Sequence, residues 1–169
     1  AASAATHAAK LPTTFIGGLA HWHQGNVDGR TFVRLAIPGG ITAFAGAVIL
    51  VGLSTAVAKT WMAGLLFFFG IVIFLRFGFN WRLIPAPASG HKARWLAPIG
   101  GLGGFMDATG GGGWGPVVTP FLMTVTNHSP SRVVGSVNAA EFVVALCASA
   151  GFLTSASQLE PDIPWIAVM

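Results

Sequence analysis

LAIPGGITAFAGAVILVGLSTAVA, Leu35 to Ala58, contains no charged residue. Beyond Lys59, TWMAGLLFFFGIVIFL, Thr60 to Leu75, contains none either. A helix rises 1.5 Å per residue, so roughly 20 apolar residues cross a ~30 Å hydrocarbon core, and runs of this length and character signal transmembrane helices. A chain in lipid must pair its own backbone groups, which leaves helices or closed barrels. These runs are continuous rather than alternating, so helices are predicted. Further along, Trp95 to Gln158 holds only Asp107, Arg132 and Glu141 as charged residues. The fold class that follows is all-α, a polytopic transmembrane helical bundle.

Composition agrees. Charged residues make up 8% of the chain, against roughly 25% in soluble domains, and mean hydropathy is +0.70. So few charges cannot cover the surface of a water-soluble domain, and the lipid bilayer is the expected partner. The net charge of +4 comes from nine Lys and Arg spread thinly. No basic cluster is interleaved with aromatics, so nucleic acid is not an expected partner. Cys147, the single cysteine, supports neither a disulfide framework nor a multi-cysteine metal site and reads as a small packing residue. No nucleophile–base constellation or P-loop is visible, so neither an enzyme nor a cofactor is expected. The opening AASAATHAAKLPTT lacks an initiator Met and a basic n-region. It does not read as a signal peptide and looks like the middle of a longer chain.

The hydrophobic elements are predicted at about Ala4–Trp22, Phe32–Val57, Thr60–Phe79, Leu96–Thr124 and Ser129–Leu153, the last with Ser129 as N-cap and Pro130 at the first helical position. Arg30 and Arg34 lie in the loop after the first element. Arg76, Arg82, Lys92 and Arg94 lie in or beside the Pro-rich loop after the third, whereas the turn between the second and third holds only Lys59. Two spans separate the basic loops, which places them on one side, predicted cytoplasmic by the positive-inside rule. Trp22, Trp61, Trp81 and Trp95 fall near span ends, as interfacial anchors do.

The stretch APIGGLGGFMDATGGGGWGPVVTPFLM, Ala97 to Met123, carries the chemistry. Each glycine inside a helix costs about 1 kcal/mol relative to alanine. Gly110, Gly111, Gly112 and Gly113 in a row therefore predict an unwound segment between two half-helices, the second starting at Pro116. Irregular backbone at membrane depth persists only where protein buries it or it lines a cavity, and half-helix N-termini favour anions. Small residues also serve close helix packing, the reading that suits GGLGG better than GGGGWG. The run matches G-x-G-x-x-G through Gly110, Gly112 and Gly115, but without a βαβ context it is no dinucleotide site.

Ionisable residues inside membrane spans mark function by default. Asp107 precedes the glycine break. Glu141 lies three residues after Asn138, on the same helix face, and Ala145 and Ser149 extend that face. A buried carboxyl can carry a proton, which makes Glu141 and Asp107 proton-coupling candidates; the alternative for Asp107 is a cap or interhelical hydrogen bond. Arg132 is an interfacial anchor or draws anions inward. His21 and His23, two residues apart, point to different sides of a helix; they suit an interfacial cap and not a metal.

GGFMDATGGGGWGPVVTP (Gly103–Pro120), PSRVVGSVNAAEFVVALCASAGF (Pro130–Phe152) and TTFIGGLAHWHQGNVDGRTFVRLAIPGG (Thr13–Gly40) together resemble the sulfite exporter TauE/SafE family, also called the 4-toluene sulfonate uptake permease family. The resemblance implies a bacterial inner-membrane carrier of inverted-repeat type, linked to sulfite, sulfonates and other sulfur-containing or organic anions, with no cofactor. Residues 1–79 then correspond to the end of a first repeat plus two connecting spans, 80–95 to a basic Pro-rich loop, and 96–169 to a second repeat that is C-terminally incomplete. A first glycine-rich hairpin is expected before Ala1 and about two spans after Met169. The substrate-facing set carried over is Gly110, Gly111, Gly112, Gly113, Trp114, Pro116 and Asn138, with Glu141. Two functions stay open: a secondary, proton-coupled anion carrier, and a non-transporting accessory or scaffold subunit of a larger membrane complex. A homo-oligomer is compatible with either.

Overall fold

The computed structural model describes residues 2–78, 95–111, 114–126 and 128–159. They form six helices: α1 (Ala2–His23), α2 (Gly29–Gly52), α3 (Thr55–Gly78), α4 (Leu96–Gly110), α5 (Gly115–Val125) and α6 (Pro130–Leu159). No strand occurs among the described residues. By length and composition, α2, α3 over Thr55–Val72 and α6 over Pro130–Ser155 suffice to cross a membrane.

Two boundaries differ from expectation, and hydrogen bonds at the helix starts explain both. α2 starts at Gly29 rather than near Phe32 because Asp28 caps it, its Oδ2 accepting from the Thr31 amide at 2.8 Å. The turn to α3 comes at Leu53–Ser54, earlier than expected. Ser54 opens α3, its carbonyl accepting from Ala58 N at 2.9 Å. Lys59 therefore lies within α3 and not in the turn. α6 does begin at Pro130, with the Ser129 carbonyl accepting from Val133 N at 3.0 Å, and runs past Leu153 to Leu159. The basic loop at 80–94 lies outside the described residues.

Asp28 carries a local prediction. Its carboxyl is held below its usual 3.8 chiefly by the Thr31 backbone hydrogen bond, against some desolvation and with help from His128 and Arg132. A lowered folded-state value means the stabilisation is present at neutral pH and is lost as pH falls through and below 3.8. Asp28→Ala should cost about 1 kcal/mol at neutral pH, as N-cap losses do. In detergent unfolding the gap from the parent should close under acid.

The core is built on small residues of α2. Leu35, Ala36, Gly39, Gly40, Ala43, Gly46, Ala47 and Leu50 form its buried face, which packs against α4 and α6. A Cβ on Gly100 would sit 2.7 Å from the Leu35 carbonyl oxygen, and one on Gly104 would overlap the Gly39 backbone. Thr42 Oγ1 donates to the Gly101 carbonyl at 2.6 Å across the same seam. GGLGG is thus a packing motif, the close approach small residues allow in membranes.

The outer surface is inverted relative to a soluble protein. Phe15, Ile16, Leu19, Ile37, Ile41, Phe67 and Leu102 are at least half exposed, while Ser3, His7, Thr14, Asp107, Thr109 and Ser136 are buried. In water such an apolar surface would drive aggregation; in lipid it is the favourable arrangement.

The contacts also fix the path of the chain. Along α2, Leu35 meets Gly100, Gly39 meets Gly104, and Gly46 meets Phe105 and Thr109, so α4 runs parallel to α2. Asp28 N donates to Ser136 Oγ at 2.8 Å, while Gly151 lies against Phe44 and Ala47, so α6 is parallel to α2 as well. α4 and α6 thus start at the same end of the bundle, and α5 must return the chain to it. Gly103 packs on Trp114 and Val118, contacts that a continuous rod through these residues would hold about 16 and 22 Å apart. α4 and α5 are therefore a hairpin that enters and leaves by one face, its tip about 16–22 Å deep at 1.5 Å per residue.

Candidate functional site

The hairpin tip forms where the glycines weaken the helix. α4 stops at Gly110, and Gly111 adopts the left-handed conformation (φ 69°, ψ 1°), its N–H donating to the Asp107 carbonyl at 2.8 Å. A left-handed residue is the usual helix terminator, and glycine takes it without steric cost. α5 restarts at Gly115 with Pro116 in its first turn, where proline loses no helical bond. The expected break between two half-helices is therefore present, and its halves fold back on one another. Gly112 and Gly113 lie outside the described residues, as does the side chain of Pro116.

Four ionisable side chains meet beside this tip. Lys10 Nζ of α1 donates to Asp107 Oδ1 of α4 at 2.7 Å and lies 3.4 Å from Glu141 Oε1 of α6. His7, one turn earlier on α1, is fully buried, with Nε2 3.6 Å from Asp107 Oδ2. Its Nδ1 is 2.8 Å from the Ser3 carbonyl. Ser3 Oγ donates to the Ala108 carbonyl at 2.8 Å and flanks the Gly111 turn. Glu141 Oε2 faces Gly115 at the start of α5. Two carboxylates sharing one ammonium make a strong but strained arrangement: burying charge is costly, and only close pairing makes it tolerable.

The structure brings Asp107 and Glu141 together through Lys10, with Gly111 bonded to the Asp107 carbonyl and Gly115 facing Glu141, whereas Gly110 faces Leu65 of α3. Asn138 lies one turn of α6 away, its amide against Gly17 of α1. Trp114 is 1% exposed, its ring wedged between Gly39 and Gly103; its indole N–H has no partner among the described residues. Arg132 is exposed at the end of the bundle where the hairpin enters. His21 and His23 close α1, and no group of three or more metal-ligating side chains occurs among the described residues. Cys147 packs beside Gly40.

Lys10 and His7 were not among the sequence-derived candidates, although both were readable. Ser3, His7, Lys10 and Thr14 recur at spacings of four, three and four residues, a single helical face of α1. That face turns inward.

The whole chain, residues 1–169, matches the family model described as sulfite exporter TauE/SafE. It is 42% identical over 170 aligned positions to the Bacillus subtilis (strain 168) protein named "Probable membrane transporter protein YtnM", an alignment covering 99% of this chain and 55% of that protein. The chain thus spans about half the length of this curated relative. No solved structure matches it significantly. With the family match extending over every residue, the hairpin and its ion cluster included, the chain belongs to the sulfite exporter TauE/SafE family.

Proposed function

We propose that the chain forms part of a secondary carrier moving a small anion, sulfite, a sulfonate or a related organic anion, across the bacterial cytoplasmic membrane with coupling to protons. The observation that carries this reading is the Lys10 ammonium held between Asp107 and Glu141 at the tip of a hairpin deep in the bundle. With both carboxylates ionised and His7 neutral, the four groups sum to one negative charge. An anion entering this low-dielectric site meets that charge and binds only when protons offset it, so anion affinity rises as pH falls.

In this reading the backbone N–H groups that open α5 at Gly115 receive the anionic head, as a half-helix N-terminus does, while the Gly111 N–H stays committed to the Asp107 carbonyl. Asn138 adds a hydrogen bond and the indole N–H of Trp114 is a spare donor. Protonation of Glu141 frees Lys10 to face the anion. The end of the bundle bearing Arg30, Arg34 and Arg132 is cytoplasmic by the positive-inside rule.

The test is uptake of sulfite and of 4-toluenesulfonate by proteoliposomes containing the complete protein, with and without an inward proton gradient. Glu141→Gln should lower gradient-driven flux about tenfold or more, the scale of one lost charged hydrogen bond. Unchanged flux both in Glu141→Gln and with four alanines at Gly110–Gly113 sinks the reading. Absent flux combined with a membrane partner co-purifying at fixed stoichiometry supports a scaffold subunit instead.

A further inference from the structure

Two buried polar atoms in the cluster face each other with nothing between them. His7 Nε2 and Asp107 Oδ2 are 3.6 Å apart, neither has a hydrogen-bond partner among the described residues, and both side chains are fully buried. The other ring nitrogen settles which atoms carry hydrogens. Nδ1 lies 2.8 Å from the Ser3 carbonyl, a group that only accepts, so Nδ1 holds a hydrogen. A neutral His7 therefore turns a lone pair toward a carboxylate oxygen. Two acceptors facing each other away from water leave both unsatisfied, a costly arrangement for buried polar groups.

We propose that His7 and Asp107 together form the binding site for one proton, carried on His7 Nε2 and donated to Asp107 Oδ2. The single proton converts both orphaned atoms into a hydrogen-bonded imidazolium–carboxylate pair. It also brings the cluster to neutrality: Lys10 and His7 positive, Asp107 and Glu141 negative. The charge count asks for one proton, and the hydrogen-bond inventory places it on His7. Among the described residues the charged groups facing the pair are Lys10, from α1, and Glu141, from α6; the His7 ring also lies against Phe152 of α6, with centroids 5.8 Å apart.

The site has a mechanical consequence. A charged hydrogen bond spans about 2.7–2.9 Å between heavy atoms, so protonation draws α1 toward α4 from the present 3.6 Å. Ser3 Oγ already ties the start of α1 to Ala108, next to the Gly111 turn. The proton thus tightens α1 on the hairpin tip, while Lys10 stays free to exchange Glu141 for an anion. This division of labour deepens the carrier reading, yet the proton site itself stands whether or not the protein transports.

The experiment is solid-state NMR of the complete, 15N-histidine-labelled protein in lipid vesicles, titrated from acid to alkaline pH, with His7→Gln used to assign the resonance. The expected result is a His7 ring protonated on both nitrogens at low pH that converts to the Nδ1–H form with a bare Nε2 as pH rises. Asp107→Asn, which keeps the shape and removes the charge, should move that conversion to lower pH by one unit or more. A His7 ring that keeps one neutral form throughout overturns the proposal. So does a titration that Asp107→Asn leaves in place, or a change driven by Na⁺ at fixed pH. Proton-driven flux measured on the same vesicles separates the two readings: a titrating His7 without flux refutes the carrier and not the proton site.

Discussion

Lys10→Met is expected to destabilise the bundle by about 3–5 kcal/mol, the cost of removing one partner from a buried ion pair, and to abolish proton-driven anion uptake. The substitution keeps the length and apolar stem of the side chain, so packing is nearly preserved. What changes is that Asp107, fully buried, and Glu141, mostly buried, face each other with no cation between them. At least one of them must then take up a proton to remain in place. The stability loss is read by unfolding of the detergent-solubilised complete protein. Two further variants separate charge from shape. Lys10→Met combined with Asp107→Asn and Glu141→Gln removes every unpaired charge and should recover most of the stability, because neutral replacements of buried ion pairs are commonly tolerated. It should recover none of the transport. If Lys10→Met alone unfolds like the parent, the cluster is not holding charge in the interior.

The second large effect falls on the seam between α2 and α4, and it distinguishes neighbouring glycines of one motif. Gly104→Ala places a methyl group inside the backbone of Gly39. Backbone cannot swing aside as a long side chain can, so the helices must separate. Overpacking of this kind costs about 1–3 kcal/mol and occasionally more, and the upper end is expected here because α2 packs against α4 and α6 together. Gly101→Ala is the contrast. Its Cβ would meet Thr42 Cγ2 at 3.6 Å and Pro38 Cβ at 3.9 Å, ordinary van der Waals contact. The Thr42 hydrogen bond goes to the Gly101 carbonyl and survives. That variant should be neutral or gain up to about 1 kcal/mol from helix propensity. Equal melting temperatures for the two variants would mean that the seam is looser than its geometry.

The helical membrane character was legible because it depends on single-residue chemistry: where charge is absent, lipid is the only solvent that fits. The glycine break was legible for the same reason, since four glycines in a row oppose any helix. Its consequence was not. Nothing in GGGGWG states whether the following half-helix continues or turns back, and only Gly103 against Val118 and Asp28 against Ser136 fix the hairpin. The start of α2 at Asp28 and the early turn at Ser54 were present as capping residues, overshadowed by the uninterrupted apolar run that surrounds Ser54.

The site was half visible. Asp107 and Glu141 stood out as lone carboxyls, but their partner came from α1, about a hundred residues away in sequence from Asp107. Lys10 sits beside Pro12 in an element with enough polar residues to look peripheral. The face shared by Ser3, His7, Lys10 and Thr14 is the signal that identifies α1 as an inward-facing helix, because in lipid the polar stripe faces the protein. Asn138 shares the Glu141 face as its spacing required, yet packs on Gly17 one turn from the cluster. Helical periodicity gives the side a residue is on and not the level of its neighbour.

If the cluster binds its anion by taking up protons, anion binding and proton uptake must occur together in the purified protein. The complete protein, in weakly buffered detergent solution, is mixed with 4-toluenesulfonate, whose own acid group does not titrate near neutral pH, and the proton count is followed with a pH indicator. Net uptake of about one proton per bound anion is expected, lost in Lys10→Met and in Glu141→Gln. Anion binding with no proton uptake, or binding that survives unchanged in Lys10→Met, would contradict the assignment of this cluster as the coupling site.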